Sequence, residues 1–334
     1  MTDETKIGVV GAGAWGTALA MAAINAGAKT KIWGRDAETI KSINNQNENT
    51  RYLPNAKLPS QLVAVEALAD LDRCDILMMV IPTQQLRNVY LDLIYSWPEN
   101  KPIILCAKGI EQSTGRLPAE IIHSVRANQV IAVLSGPSFA ADVVAGKPTA
   151  VTLASDKLER SQFLCEQLAS PLFRPYASDD LVGVEIGGAL KNVTAVCCGI
   201  AAGRGLGASA GAALMARGFS ELVRYGVAHD ARAETFMGLS GFGDLVLTCS
   251  SQQSRNFSFG YGLGAGTLHL NDALEGRVPL AEGVFTAQIA AQIARSKNLD
   301  LPILQTVSDI LHGHIEIEAA IRRLLDRPLK VENS

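Results

Sequence analysis

At 334 residues the chain is too long for one ordinary domain and long enough for two, and its 48% hydrophobic, 19% charged composition is that of a globular enzyme rather than a disordered segment. A formal net charge of −3 excludes a global electrostatic footprint for nucleic acid or an anionic membrane, so an anionic ligand needs a local cationic pocket. The start, Met1 to Lys6, lacks the basic head and apolar core of a secretory signal, and the apolar runs are too short or too glycine-broken to span a bilayer; a cytoplasmic location is expected.

The first half alternates short apolar runs with amphipathic segments. Strands are predicted at Lys6 to Val10, Lys29 to Trp33, Ile76 to Ile81, Ile103 to Cys106, Val130 to Leu134 and Thr149 to Ala154, with helices between them, as at Ala14 to Ala26 and Pro118 to Arg126. Strands alternating with helices mean βαβ units and a doubly wound, mostly parallel sheet. From about Leu181 the pattern is helical nearly throughout: Leu181 to Ala202, Ala210 to Tyr225, Ala231 to Phe236, Val284 to Lys297, Leu304 to Leu311 and Ile317 to Leu325. A boundary near residue 178 therefore divides an α/β domain, 1–178, from an all-α domain, 179–334. Gly199 to Gly211 and Ser250 to Ser258 read as loops within the helical half.

Gly11-Ala12-Gly13-Ala14-Trp15-Gly16 is a full G-x-G-x-x-G, placed after a strand and opening a helix in the first βαβ unit. Gly11 permits the tight turn, Gly13 lets the backbone approach a pyrophosphate, and Gly16 lets helix pack close on strand. The helix N-terminus offers unpaired N–H groups to phosphates. After the second strand comes Gly34-Arg35-Asp36. An Arg there pairs with a 2′-phosphate, which favours NADP over NAD. Asp36 reads better as the N-cap of the following helix than as a ribose ligand, and NAD stays open.

Reduction of a carbonyl needs a group that polarises the oxygen and protonates it. Lys191, in Glu185-Ile-Gly187-Gly188-Ala-Leu-Lys191-Asn192, lies on a helix apolar on nearly all sides, and a buried Lys has its pKa lowered toward the working range. A structural ion pair is the alternative. Lys108 stands just past the strand ending at Cys106, at the carboxyl edge where parallel sheets bind ligands, or is a surface Lys before a turn. Ser135-Gly136-Pro137-Ser138-Phe139-Ala140 makes a second close-approach loop at that edge, or an ordinary Gly-Pro turn. Asp244, between apolar residues in Gly241-Phe-Gly243-Asp244-Leu, can orient a catalytic Lys, or cap a helix. Ser254-Arg255-Asn256 offers a planar fork and neutral donors to a phosphate, or is a solvated loop. The Cys residues at 74, 106, 165, 197, 198 and 249 show no CxxC pairing and read as reduced core thiols. His312-x-His314 reads as a polar turn, and no metal site is expected.

The ordered series GAGAWGTALA, WGRD, AKGIE, SGPSFA, GGALKNV, GFGDLVLTC and QSRN, over residues 11 to 256, resembles the bacterial-type NAD(P)-dependent glycerol-3-phosphate dehydrogenases. The resemblance implies a Rossmann domain followed by an all-helical domain. It implies reversible reduction of dihydroxyacetone phosphate to sn-glycerol 3-phosphate, with Lys191 as general acid/base. Lys108, Gly136, Ser138, Asp244, Ser254, Arg255 and Asn256 would be substrate contacts. Gly11, Gly13, Ala14, Trp15, Gly16, Arg35, Lys108, Ala140, Arg255, Leu280 and Glu282 would be cofactor contacts. A small-molecule substrate feeding glycerophospholipid synthesis, no nucleic-acid partner, no membrane insertion and a homodimer built on Ala- and Gly-rich helices are further expectations. The enzyme rival is a β-hydroxy acid or ketopantoate-type dehydrogenase, which shares a helix-borne Lys near an Asn; the non-enzyme rival is a redox-sensing module that binds nicotinamide.

Overall fold

A computed structural model of the chain describes residues 4–271, 281–328 and 331. Strands β1 (Lys6–Val10), β2 (Lys29–Trp33), β5 (Val63–Val65), β6 (Ile76–Met79), β7 (Ile103–Leu105), β8 (Ile131–Ser135), β9 (Thr149–Ser155) and β10 (Phe173–Ser178) form one sheet in the order β10-β9-β8-β7-β6-β1-β2-β5. Strands β6 and β8 are buried at every residue, and β1 from Ile7 onward, because helices cover both faces of the sheet. The pairings are parallel except β8 with β9, so the mostly parallel sheet expected is found with one antiparallel junction.

Helices α1 (Ala14–Asn25), α2 (Ala37–Gln46), α3 (Thr83–Leu93), α4 (Pro118–Val125), α5 (Ala140–Val144) and α6 (Leu158–Leu168) fill the crossovers. A small hairpin, β3 (Glu48–Asn49) with β4 (Leu53–Lys57), follows α2. It was not legible beforehand: two residues carry no alternation, and β4 contains Pro54 and Asn55. The edge strand β10 was missed for a related reason, since Pro175 breaks its pattern and is tolerated only at an edge.

After Ser178 the described chain is helical. Helix α7 (Leu181–Gly203) is buried at every position from Gly183 to Ala201. It is long and apolar enough to cross a membrane by composition, yet here it is the axis of a helical core and 89% of its most apolar window is buried. Around it pack α8 (Gly207–Val227), α9 (Ala233–Phe236), α10 (Asp244–Cys249), α11 (Arg255–Ala265), α12 (Glu282–Ser296) and α13 (Pro302–Leu311); α14 (Ile317–Leu325) packs on α13. The first half of α7 also touches β8 and β9, which joins the helical half to the sheet.

Two sequence expectations need correction. Gly199 to Gly211 is not one loop: α7 continues to Gly203, and only Arg204 to Leu206 separates it from α8. Gly199 and Gly203 serve close packing on α11, since a Cβ on Gly199 would stand 2.1 Å from the Phe257 carbonyl and one on Gly203 2.3 Å from that of Tyr261. Ser250 to Ser258 is not a loop throughout either, because α11 begins inside it. Ser254 is the N-cap, accepting a hydrogen bond from the Phe257 N–H at 3.2 Å.

Candidate active site

The glycine loop joins β1 to α1 at the carboxyl edge of the sheet. Gly11 has φ +122°, and a Cβ on Gly16 would stand 1.8 Å from the Gly11 carbonyl, so neither position admits another residue without displacement. Gly13 is different: a Cβ there would meet nothing within 4 Å. As the N-cap of α1 it has no side chain to satisfy the first-turn N–H groups. Trp15, on the first turn, has a buried Nε1 with no partner among the described residues. Open space above Gly13 and unsatisfied donors at a helix N-terminus fit the pyrophosphate of a dinucleotide. Ala14 begins α1, and Arg35 is exposed just past β2. Asp36 caps α2, accepting from Thr39 N at 3.3 Å.

The reactive cluster lies at the same sheet edge. Lys108 follows β7, and its Nζ donates to Asp244 Oδ2 at 2.8 Å and to the Gly136 carbonyl at 3.4 Å. Lys191, from the middle of α7, donates to the other carboxylate oxygen, Asp244 Oδ1, and to Thr248 Oγ1 at 2.9 Å. The Thr248 hydroxyl in turn donates to the Asp244 carbonyl at 2.6 Å, one helical turn back on α10. Thus the loop after β7, the core helix and α10 each supply one group, and Asp244 sits between two cations.

Burial pulls the Lys191 ammonium down to about 8; the Asp244 charge opposes this and the Lys108 charge adds to it. Burial also works against the Asp244 carboxylate, but Lys108 and Lys191 outweigh it and hold the group below its usual range. Lys191 is therefore poised to exchange a proton near neutral pH, beside an anion that stays charged.

Two further loops close on the cluster. Gly136 has φ +146°, Ser138 Oγ donates to the Gly136 carbonyl at 3.1 Å, and Pro137 packs against Gly243, just before Asp244. Ala140 opens α5, which packs on α1. At the start of α11, Arg255 is exposed and Asn256 is buried. Asn256 Nδ2 donates to Asn192 Oδ1 at 3.0 Å, and its Oδ1 accepts from Gly283 N at 2.8 Å, which ties α7, α11 and α12 together. Glu282, half-buried at the start of α12, is raised above the usual carboxylate range by burial, against the opposing charges of Arg255, Lys108 and Lys191. Gly283, next to Glu282, is thus bonded to Asn256, next to Arg255, and Asn256 to Asn192, next to Lys191. Leu280 lies outside the described residues.

The family model described as the NAD-dependent glycerol-3-phosphate dehydrogenase N-terminus matches residues 6–161, and that of the C-terminus matches residues 180–322. The chain belongs to this family. It is 51% identical to a Brucella canis NAD(P)+ glycerol-3-phosphate dehydrogenase over 331 residues, covering 99% of this chain and all of that one. A Chelativorans protein of the same name is 48% identical over 333 residues, with 99% of this chain and all of that one covered. The glycerol-3-phosphate dehydrogenase crystal structure from Coxiella burnetii superposes with a TM-score of 0.91 at 34% identity, covering 97% of this chain and 99% of that one.

Within this family member, the structure gathers Lys108, Gly136, Ser138, Lys191 and Asp244 around one cluster, and the Asn256 tie brings the chain at Arg255 and Glu282 next to α7; the glycine loop shares its sheet edge. Ser254 enters as a helix cap and Asn256 as a tie between helices. Thr248 was missed as a site residue. The signal was available: Thr248 lies four residues after Asp244, so on a helix it shares the carboxylate's face.

Proposed function

We propose that the chain reversibly reduces dihydroxyacetone phosphate to sn-glycerol 3-phosphate with NADPH or NADH, the product serving as the backbone for glycerophospholipids in the cytoplasm. One observation carries this: a buried carboxylate, Asp244, holds two lysines on its two oxygens at the carboxyl edge of a dinucleotide-binding sheet. Residues 1–178 form the dinucleotide domain and 179–334 the substrate domain. The exposed alanines of α8, Ala208, Ala212, Ala213 and Ala216, offer a surface for a homodimer.

When bound along the glycine loop, the reduced nicotinamide supplies the hydride. Lys191, as ammonium, donates a hydrogen bond to the ketone oxygen and gives up its proton as that oxygen gains charge. Lys108 places a second positive charge at the same oxygen, where charge develops. Asp244 and Thr248 fix the direction of the Lys191 ammonium. Arg255, exposed on the first turn of α11, holds the phosphate together with the first-turn N–H groups of that helix. Binding energy from the phosphate positions C2 for transfer. Gly136, whose carbonyl accepts from Lys108, and Ser138 complete the substrate contacts.

The test is the initial rate of NADPH and NADH oxidation with dihydroxyacetone phosphate, unphosphorylated dihydroxyacetone and a β-keto acid. Fast oxidation with the phosphorylated ketone alone supports the reading. Turnover of the keto acid instead would assign the hydroxy-acid chemistry, and nicotinamide binding without turnover of any substrate would assign a sensor.

A further inference from the structure

A second arginine, distant in sequence from Arg35, lies beside the end of β2. Asn49, fully buried at the end of β3, donates from Nδ2 to the Ala12 carbonyl at 3.0 Å and to Thr17 Oγ1 at 2.8 Å, so the hairpin is fastened to the glycine loop itself. The Tyr52 N–H closes the turn onto Asn49, reaching its backbone carbonyl and its Oδ1 at 3.3 Å each. Thr50 and Ser42 share a hydroxyl contact of 3.1 Å that holds the same turn to α2. Arg51 sits in the middle of this anchored turn, its side chain 61% exposed.

Arg51 Nη1 donates to Asp36 Oδ2 at 3.1 Å, and that oxygen also accepts from Thr39 N at 3.3 Å and Thr39 Oγ1 at 2.5 Å. Asp36, the first acid past β2, is therefore occupied as a helix cap and as an arginine partner. In an NAD-selective site an acid near this position binds the ribose hydroxyls, whereas an arginine accommodates a 2′-phosphate. Here Arg35 flanks Asp36 on one side and Arg51 reaches it from the other, the second guanidinium carried on a turn fixed to the phosphate loop. A guanidinium presents five N–H donors, so one bond to Asp36 leaves donors for an incoming anion.

We propose that Arg51 and Arg35 together form the recognition site for the 2′-phosphate of NADP(H), and that Arg51 is the residue that sets the preference for NADPH over NADH. The inference rests on the functional reading above, because it assumes that a nicotinamide dinucleotide occupies the glycine loop.

Binding, not turnover, tests it: titration calorimetry of the full chain with NADPH, NADH, 2′,5′-ADP and 5′-AMP. Arg51→Ala, at an exposed position, should weaken NADPH and 2′,5′-ADP by about tenfold or more, the loss of one charge-assisted contact, and change NADH and 5′-AMP less than about twofold. Asp36→Asn keeps the helix cap and releases Arg51, so NADPH should bind more tightly. An unchanged NADPH-to-NADH affinity ratio in Arg51→Ala, or a selective loss of NADH binding in Asp36→Asn, would overturn the proposal. Failure of the wild-type chain to bind either dinucleotide would overturn the functional reading instead.

Discussion

Lys191 meets Asp244 with both side chains shut away from water, 8% and 1% exposed. Lys108 takes the carboxylate's second oxygen at 2.8 Å, so the three groups leave one positive charge in excess in a buried place. Such an excess is costly in a resting protein. It is favourable when a neighbouring oxygen becomes an alkoxide, which is the charge a ketone develops as it accepts hydride.

The pH dependence follows from the Lys191 ammonium, which burial brings down to about 8. Ketone reduction uses the protonated form, so its rate should fall as pH rises through about 8. Alcohol oxidation uses the neutral amine and should rise over the same interval. Initial rates in both directions from pH 6 to 10 check this; a reduction rate that climbs through that interval would contradict it.

Asp244→Asn removes the charge that lifts the Lys191 pKa against burial. The limb of the reduction profile should move to lower pH, and kcat should fall by about a hundredfold, a value within the usual range for general acid–base contributions. Measuring the profile of the variant separates this from a simple loss of folding, since a destabilised but otherwise normal site would keep the limb in place.

Thr248 acts through Lys191, which it receives at 2.9 Å. Thr248→Val keeps the shape and removes the hydroxyl, so kcat should drop by about tenfold with little change in KM. Thr248→Ser should restore most of the rate. Equal losses in Val and Ser variants would show that packing, not the hydroxyl, matters there.

Much of this site was legible because each group stands in a motif whose neighbours carry the signal. Gly11, Gly13 and Gly16 are spaced for a turn and a close helix, and the fold uses them so. Lys191 stood out as a charge on an apolar helix, and α7 is buried on every side of it. What the sequence hid was long-range. Nothing local shows that Asp244, 136 positions from Lys108, takes one of its oxygens to that lysine. The α11 start was obscured by its polar run: Ser254 and Asn256 suit a loop, yet one is a cap and the other a buried tie. The meeting of Arg51 with Asp36 was invisible for the same reason, because its turn is fastened by Asn49 reaching Ala12 and Thr17 across the domain.

Glu185 supplies a stability test away from the chemistry. Its Oε1 accepts from the Ala119 N–H at 2.8 Å, while Oε2 is buried with no partner among the described residues. Burial pushes this carboxyl up to about 8, from an ordinary value of 4.5. A folded pKa above the unfolded one favours folding below the unfolded value, and that contribution is lost as pH rises toward the folded value. Wild-type stability should therefore decline relative to Glu185→Gln between about pH 4.5 and 8. Thermal melts of both proteins at pH 5 and pH 8.5 check it; a stability difference independent of pH would refute the assignment.

The most direct test of the central claim is the Lys191→Ala variant, read by single-turnover reduction of dihydroxyacetone phosphate alongside NADPH binding. The account predicts a loss of at least about a hundredfold in the chemical step, with NADPH affinity within about twofold of wild type. Turnover close to wild type with the lysine removed would show that the proton comes from elsewhere, and the roles given to Asp244 and Thr248 would fall with it.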